Sequence, residues 1–397
     1  MSVEEQQIEI IAKPKVRLKF IDMARSLAIL LMLEGHFIEH MFKDFKPMVA
    51  LVRETGTSGY ILFDWFYFIK GFTAPLFFTV TGVVFVYLLA RNKEAGFRRN
   101  PRIKKGFRRA FELLLWGYAL QFNLRYASNT FNHEHPWIFA FHVLQSIGIG
   151  IVALLLIFGL YKLINKGPLY VYYFLAGTII FCFYPYLKGL EKDVFLPNAA
   201  PEIIQNVIRG PYSVFPIIPW TAFTMYGGMV GALTIRFQDH VKKFWYPLTY
   251  IGLGLGLNLF GRVIGLTLDG IIEYMGFDEL NLVQNSWLYG RLGQIFIALG
   301  VFMLIDKLIH FKGELFLKIG QNTLSIYIIH VVILYGGIFG YGLNSEELSH
   351  SLNGWQVILG ATVFIGAFVV FIKYLEFFEK IKAKVIDFLF FWRKKSI

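Results

Sequence analysis

The sequence predicts an all-α, polytopic membrane protein of about ten transmembrane helices with both termini on the cytoplasmic side. Three observations predict it. Of the 397 residues, 56% are hydrophobic and 18% aromatic, above the roughly half apolar content of a soluble chain. The apolar residues gather in stretches of membrane length, and a helix needs roughly 20 such residues to cross a bilayer. The polar connections between them alternate in charge, which sets an orientation.

Ten spans follow in order: 20–42, 60–90, 108–126, 137–162, 168–188, 213–235, 245–266, 287–309, 320–342 and 355–378. The second exceeds what a straight span needs and contains Pro75, which removes a helix hydrogen bond, so a bent or two-piece helix is expected there. Alternate connections carry the basic residues: nine between Arg91 and Arg109, then Lys162 and Lys166, then Arg236, Lys242 and Lys243, then Lys307, Lys312 and Lys318. By the positive-inside rule these face the cytoplasm. The opposite connections hold more acid than base and belong outside. The formal net charge of +12 is thereby accounted for, and no nucleic-acid partner is implied.

The chain divides into a cytoplasmic segment 1–19, one membrane domain 20–378 and a basic, amphipathic cytoplasmic tail 379–397. The first nineteen residues are polar and lack a small-residue cleavage site, so Phe20 onward reads as a retained signal anchor. Multi-pass insertion in the cytoplasmic (inner) membrane is the expectation. Cys182, the single cysteine, leaves neither an internal disulfide nor a cysteine metal cluster.

Chemistry concentrates in the first span, whose apolar frame carries Asp22, Arg25, Glu34, His36, Glu39 and His40. Ionisable groups inside a span are costly enough to mark a functional site by default. The eleven residues from Arg25 to His36 climb about 16 Å and return to nearly the same face. His36, in the outer half, suits a proton acceptor for an attacking hydroxyl or amine; its structural alternative is a packing histidine. Arg25 suits a phosphate or carboxylate, and Asp22 one turn earlier suits an ion pair with it. HFIEH, 36–40, also spells a zinc-peptidase arrangement, although no third ligand is evident and no metal is expected. In the ninth span Asn322, Ser325, Tyr327 and His330 reach toward mid-membrane, where interhelical hydrogen bonding is the plain alternative. Asp64, Arg125 and Arg262 lie near outer ends, where an acceptor or the headgroups would meet them. The GLGLGLNLFG run, 252–261, follows no soluble strand, so it reads as close helix packing rather than a nucleotide loop.

The Arg25 and His36 pattern in a span opening IDMARSLAILLMLEGH resembles the signature of the transmembrane acyltransferase superfamily. FIKGFTAPLFFTVTG (68–82), VLQSIGIGIV (143–152) and FPIIPWTAFTMYGGMVG (215–231) resemble its heparan-α-glucosaminide N-acetyltransferase branch, and IGQNTLSIYIIH (319–330) is similar to a late-helix motif shared with the polysaccharide O-acyltransferases. Ser26 stands where the pattern usually has glycine. The resemblance implies acyl transfer, with acetyl-CoA as donor and a glycan or glycolipid amine or hydroxyl as acceptor. It implies His36 as general base or acyl carrier, and Arg25, Asn322, Tyr327 and His330 along the donor passage. Asp64, Arg125 and Arg262 would face the acceptor, and a homodimer is a further expectation. A solute transporter and a membrane zinc hydrolase are the rivals; acyl-CoA binding separates the first and stoichiometric metal the second.

Overall fold

A computed structural model describes residues 18–92, 96–122, 124, 136–189, 200–276, 285–309, 312–344 and 348–389. The described residues are helical apart from connections and two isolated bridges, Phe42 with Leu352 and Phe141 with Ser213. The long helices are α1 (Lys19–Met41), α2 (Phe45–Thr55), α3 (Ile61–Ala90), α4 (Pro101–Ala119), α5 (Val143–Ile164) and α6 (Leu169–Gly189). After the short α7 (Glu202–Ile208) come α8 (Ile217–Arg236), α9 (Trp245–Tyr274), α10 (Trp287–Ile309), α11 (Glu314–Gln321), α12 (Thr323–Tyr335) and α13 (Gly354–Leu389).

The count of ten spans is corrected by composition. Among the described residues five helices are long and apolar enough to cross a membrane, namely α3, α5, α9, α10 and Gly354–Leu375 of α13, and six if the bent pair α11 and α12 is one span. The reason lies in which helices meet lipid. α1 holds Lys19, Asp22, Arg25, Glu34 and Glu39, and α4 opens on a basic turn. α8 is diluted by threonine and glycine, yet most of its residues are buried. α1 is packed by α3, α10, α11, α12 and α13, and α8 by α3, α5 and α6. Helices enclosed by protein need not be uniformly apolar. At the opposite extreme, α9 packs chiefly on α10 and leaves Leu253, Leu259, Phe260 and Val263 exposed, as a lipid-facing helix does.

Close approach is built from glycine. A Cβ at Gly227 of α8 would overlap the Thr79 backbone of α3, and one at Gly82 would overlap the Thr224 backbone in return. Those glycines let α3 and α8 pack backbone to backbone. Gly254 of α9 meets the Gly293 carbonyl of α10, which makes the 252–261 run a packing surface. α3 stays one helix through Pro75. The break falls instead between α11 and α12, which are bent by 74° at Asn322, within the stretch expected to be a single span. α13 continues unbroken past residue 378.

α4 begins seven residues before the expected 108. Asn100 accepts a hydrogen bond from the Arg102 N–H at 3.0 Å, and Pro101 occupies the first helical position. This cap and the pre-set proline φ explain the early start. Arg108 and Arg109, expected at the loop's end, are therefore on a helix.

Candidate active site

α1 is anchored against the break in the late helix pair. Ser26 accepts the Gly320 N–H at 2.9 Å, and its hydroxyl lies 2.5 Å from the Phe316 carbonyl. A Cβ at Gly320 would fall on the Asp22 carbonyl, so α1 and α11 are in backbone contact. The small serine serves where glycine is usual. One turn away, Arg25 donates to Thr323 Oγ1 at 3.1 Å and lies 3.9 Å from Asp22.

Beside this anchor is a cavity of about 170 Å³ walled by α1, α3, α4, α5 and α12. Arg25 and Arg109 both line it, and Val80, Val84, Leu113 and Ile147 make apolar walls. On α3 its lining runs from Phe77 to Leu88, eleven residues or about 16 Å of helix. Arg25 and Arg109 are the most N-terminal of the lining residues on α1 and α4. Tyr327, four residues into α12 from Thr323, lines the cavity farther along. The cavity is thus cationic at one end and apolar along its length, suited to an anionic head with an extended arm.

Tyr327 leads to the histidines. Its ring meets His330 edge-on with centroids 4.9 Å apart, and His330 Nε2 lies 3.0 Å from His36 Nδ1. His330 is fully buried. Its Nδ1 has no hydrogen-bond partner among the described residues, and the tautomers decide which of the two rings donates. Where His36 donates from Nδ1, its lone pair falls on Nε2, as in an oriented base.

Beyond His36, Glu39 is paired with Lys70 at 3.0 Å, and the Lys70 stem fills the space beside Gly35. Tyr335 stands edge-on to both His36 and His40, at 5.9 and 4.8 Å between centroids. The HFIEH residues are engaged separately, His36 by His330, Glu39 by Lys70 and His40 against Tyr335. Among the described residues no group of three or more His, Cys, Asp or Glu converges as a metal ion would require.

Residues 18–374 match the profile of a family described as an acyltransferase domain. The chain belongs to that acyltransferase family. No curated protein matches it. With the long apolar helices, the match identifies a membrane-embedded acyltransferase and upholds the resemblance carried by Arg25, His36 and the later motifs.

The acyltransferase brings together Arg25, His36, Tyr327 and His330, which sequence reasoning singled out. Asn322 is elsewhere: its side chain donates to the Lys318 carbonyl at 2.8 Å, at the break rather than on the cavity wall. Asp64 accepts from Thr57 Oγ1 at 2.5 Å and Ser58 N at 2.7 Å, organising the turn into α3. Arg262 is exposed on α9, the helix packed chiefly on α10. Arg125 lies outside the described residues. Arg109 and Tyr335 were not singled out. Arg109 was one of nine basic residues read as a topology signal, and the Asn-Pro helix start was the clue to its helical placement. For Tyr335 no local signal existed, because its significance comes from what α1 brings to it.

Proposed function

We propose that the protein transfers an acetyl group from cytoplasmic acetyl-CoA to an amine or hydroxyl of a glycan on the outer side of the membrane. The observation that carries this is the cavity joining two arginines to the tyrosine beside the His36 and His330 pair. Arg25 and Arg109 would hold the phosphates of the donor, a task to which guanidinium forks are suited. The apolar walls would receive its extended arm, which brings the thioester carbonyl toward His36.

His36 Nε2 takes the proton from the acceptor as its oxygen or nitrogen bonds to the thioester carbon. The carbon–sulfur bond then breaks, and the proton returns from His36 to the departing thiolate. His330 holds the imidazole in the tautomer that leaves Nε2 free and shares the positive charge that forms. An acyl group carried on His36 Nε2 uses the same orientation. The alternation of basic and acidic connections supports the directions given, because an N-in, C-in topology would put the arginine end of the cavity toward the cytosol.

The test is incubation of purified protein with labelled acetyl-CoA and a panel of glycans, followed by mass spectrometry. Acetylated glycan is expected. Absence of acetyl-CoA binding by calorimetry would overturn the proposal.

A further inference from the structure

Outward of His36 lies a group of side chains that the acyl-transfer chemistry does not use. Tyr335, at the end of α12, is five residues beyond His330, and His40 is one turn beyond His36, so both lie on the side away from Tyr327 and the cavity. Tyr335 is half-buried, and its hydroxyl is not among the buried polar atoms left without a partner. A partly exposed phenol beside His36 is open to a hydrogen bond from a molecule that arrives there.

The surroundings say what kind of molecule that is. The Glu39 and Lys70 pair supplies a carboxylate and an ammonium whose side chains remain 34% and 25% exposed. Together they cancel in charge. The Tyr335 ring lies within 6 Å of the rings of His36 and His40, and the three supply flat faces and edges. His350 closes the rim, its backbone N–H bound to the His40 carbonyl at 2.8 Å and its Nδ1 to the Phe42 carbonyl at 3.0 Å. A charge-balanced set of donors and acceptors beside aromatic faces fits a ring that is hydroxylated at its rim and apolar on its faces. It suits neither a long acyl chain, which has no hydroxyls to pair, nor a polyanion, which Glu39 would repel.

We infer that Tyr335, Glu39, Lys70 and His40 form the acceptor subsite, and that it binds a monosaccharide unit without net charge, Tyr335 hydrogen-bonding the sugar next to the hydroxyl or amine that His36 deprotonates. This rests on the proposed function for the reaction, but the binding itself does not depend on turnover. Tyr335 touches substrate on the acceptor side only, so its loss changes acceptor affinity and not the handling of the thioester.

The probes are methyl glucoside and N-acetylglucosamine, both uncharged, titrated into the full-length protein by calorimetry, together with acetyl-CoA hydrolysis in the absence of sugar. Wild type should bind at least one probe. Tyr335→Phe, which keeps the ring packing, and Glu39→Gln should each weaken that binding about tenfold or more, with acetyl-CoA affinity unchanged in both and sugar-independent hydrolysis unchanged in Tyr335→Phe. His36→Ala should still bind the sugar, and this separates failure of the subsite from failure of the catalytic assignment. Three results would overturn the inference: no probe binding to wild type, wild-type binding by both variants, or equal loss of hydrolysis and sugar binding in Tyr335→Phe, which would place the phenol on the thioester carbonyl instead.

Discussion

His36 Nδ1 and His330 Nε2 lie 3.0 Å apart, although 294 residues separate them in the chain. The contact ties α1 to the late broken pair. It also distinguishes two identical side chains, because His330 is fully buried whereas His36 keeps partial exposure to a substrate.

That distinction predicts unequal mutational losses. His36→Ala should lower saturated acetyl transfer by about 10²- to 10⁴-fold, the usual range for a general base. His330→Ala should cost less, since the base remains but loses its orientation. The double variant should be no slower than His36→Ala alone, because the two residues act as one unit. Single-turnover transfer at saturating donor measures all three. Additive losses would mean that His330 acts on substrate in its own right.

The packing of α3 on α8 predicts a stability defect separable from chemistry. Gly227→Ala would put a methyl group on the Thr79 backbone, which cannot move aside as a flexible side chain can. Overpacking of this kind costs about 1 to 3 kcal/mol. A lower Tm in detergent is expected, with the donor affinity of the surviving folded fraction intact. An unchanged Tm would mean that α3 and α8 can separate freely.

The elements that the sequence revealed and those it concealed differ for physical reasons. α3, α5, α9 and α10 announced themselves because lipid-facing surface must be apolar. Arg25 and His36 announced themselves because charge inside a span is costly. Asn322 misled: a polar side chain in an apolar run looks functional, but here it satisfies a carbonyl at a helix break. The break itself was concealed, since hydropathy averages over a bend. Arg109 was concealed by its neighbours, because in a basic run nothing local distinguishes the one arginine that faces a cavity. Tyr335 depends wholly on tertiary contact with α1.

Orientation makes a further prediction, resting on the alternation of basic and acidic connections. In a background lacking Cys182, single cysteines placed in 91–109 should react only from the cytoplasmic side, and those in 191–210 and 267–286 only from outside. Impermeant maleimide added to oriented vesicles measures this. Labelling of 91–109 from outside would reverse the topology and put the arginine end of the cavity beyond the reach of a cytosolic donor.

The two arginines on the cavity wall give the sharpest test of how the donor is held. Arg25 is fixed by Thr323 at 3.1 Å, and Arg109 by Glu112 at 2.9 Å. Both are thus pre-positioned, and little side-chain freedom is lost when an anion binds. Hydrogen bonds to charged groups contribute about 1.5 to 3 kcal/mol, so Arg25→Ala and Arg109→Ala should each weaken acetyl-CoA binding by about 10- to 100-fold. Saturated turnover should change little, because the guanidiniums lie toward the cavity end away from His36. Lysine at either position should restore part of the affinity, since it offers the charge without the fork. Acetyl-pantetheine, which lacks the nucleotide phosphates, provides the internal control. Wild type should prefer acetyl-CoA over it, and each alanine variant should lose that preference while binding acetyl-pantetheine as wild type does. Calorimetry with both donors reads the difference directly. If the variants lose affinity for the two donors equally, the arginines shape the cavity rather than hold phosphate, and the donor must enter with its anionic end elsewhere.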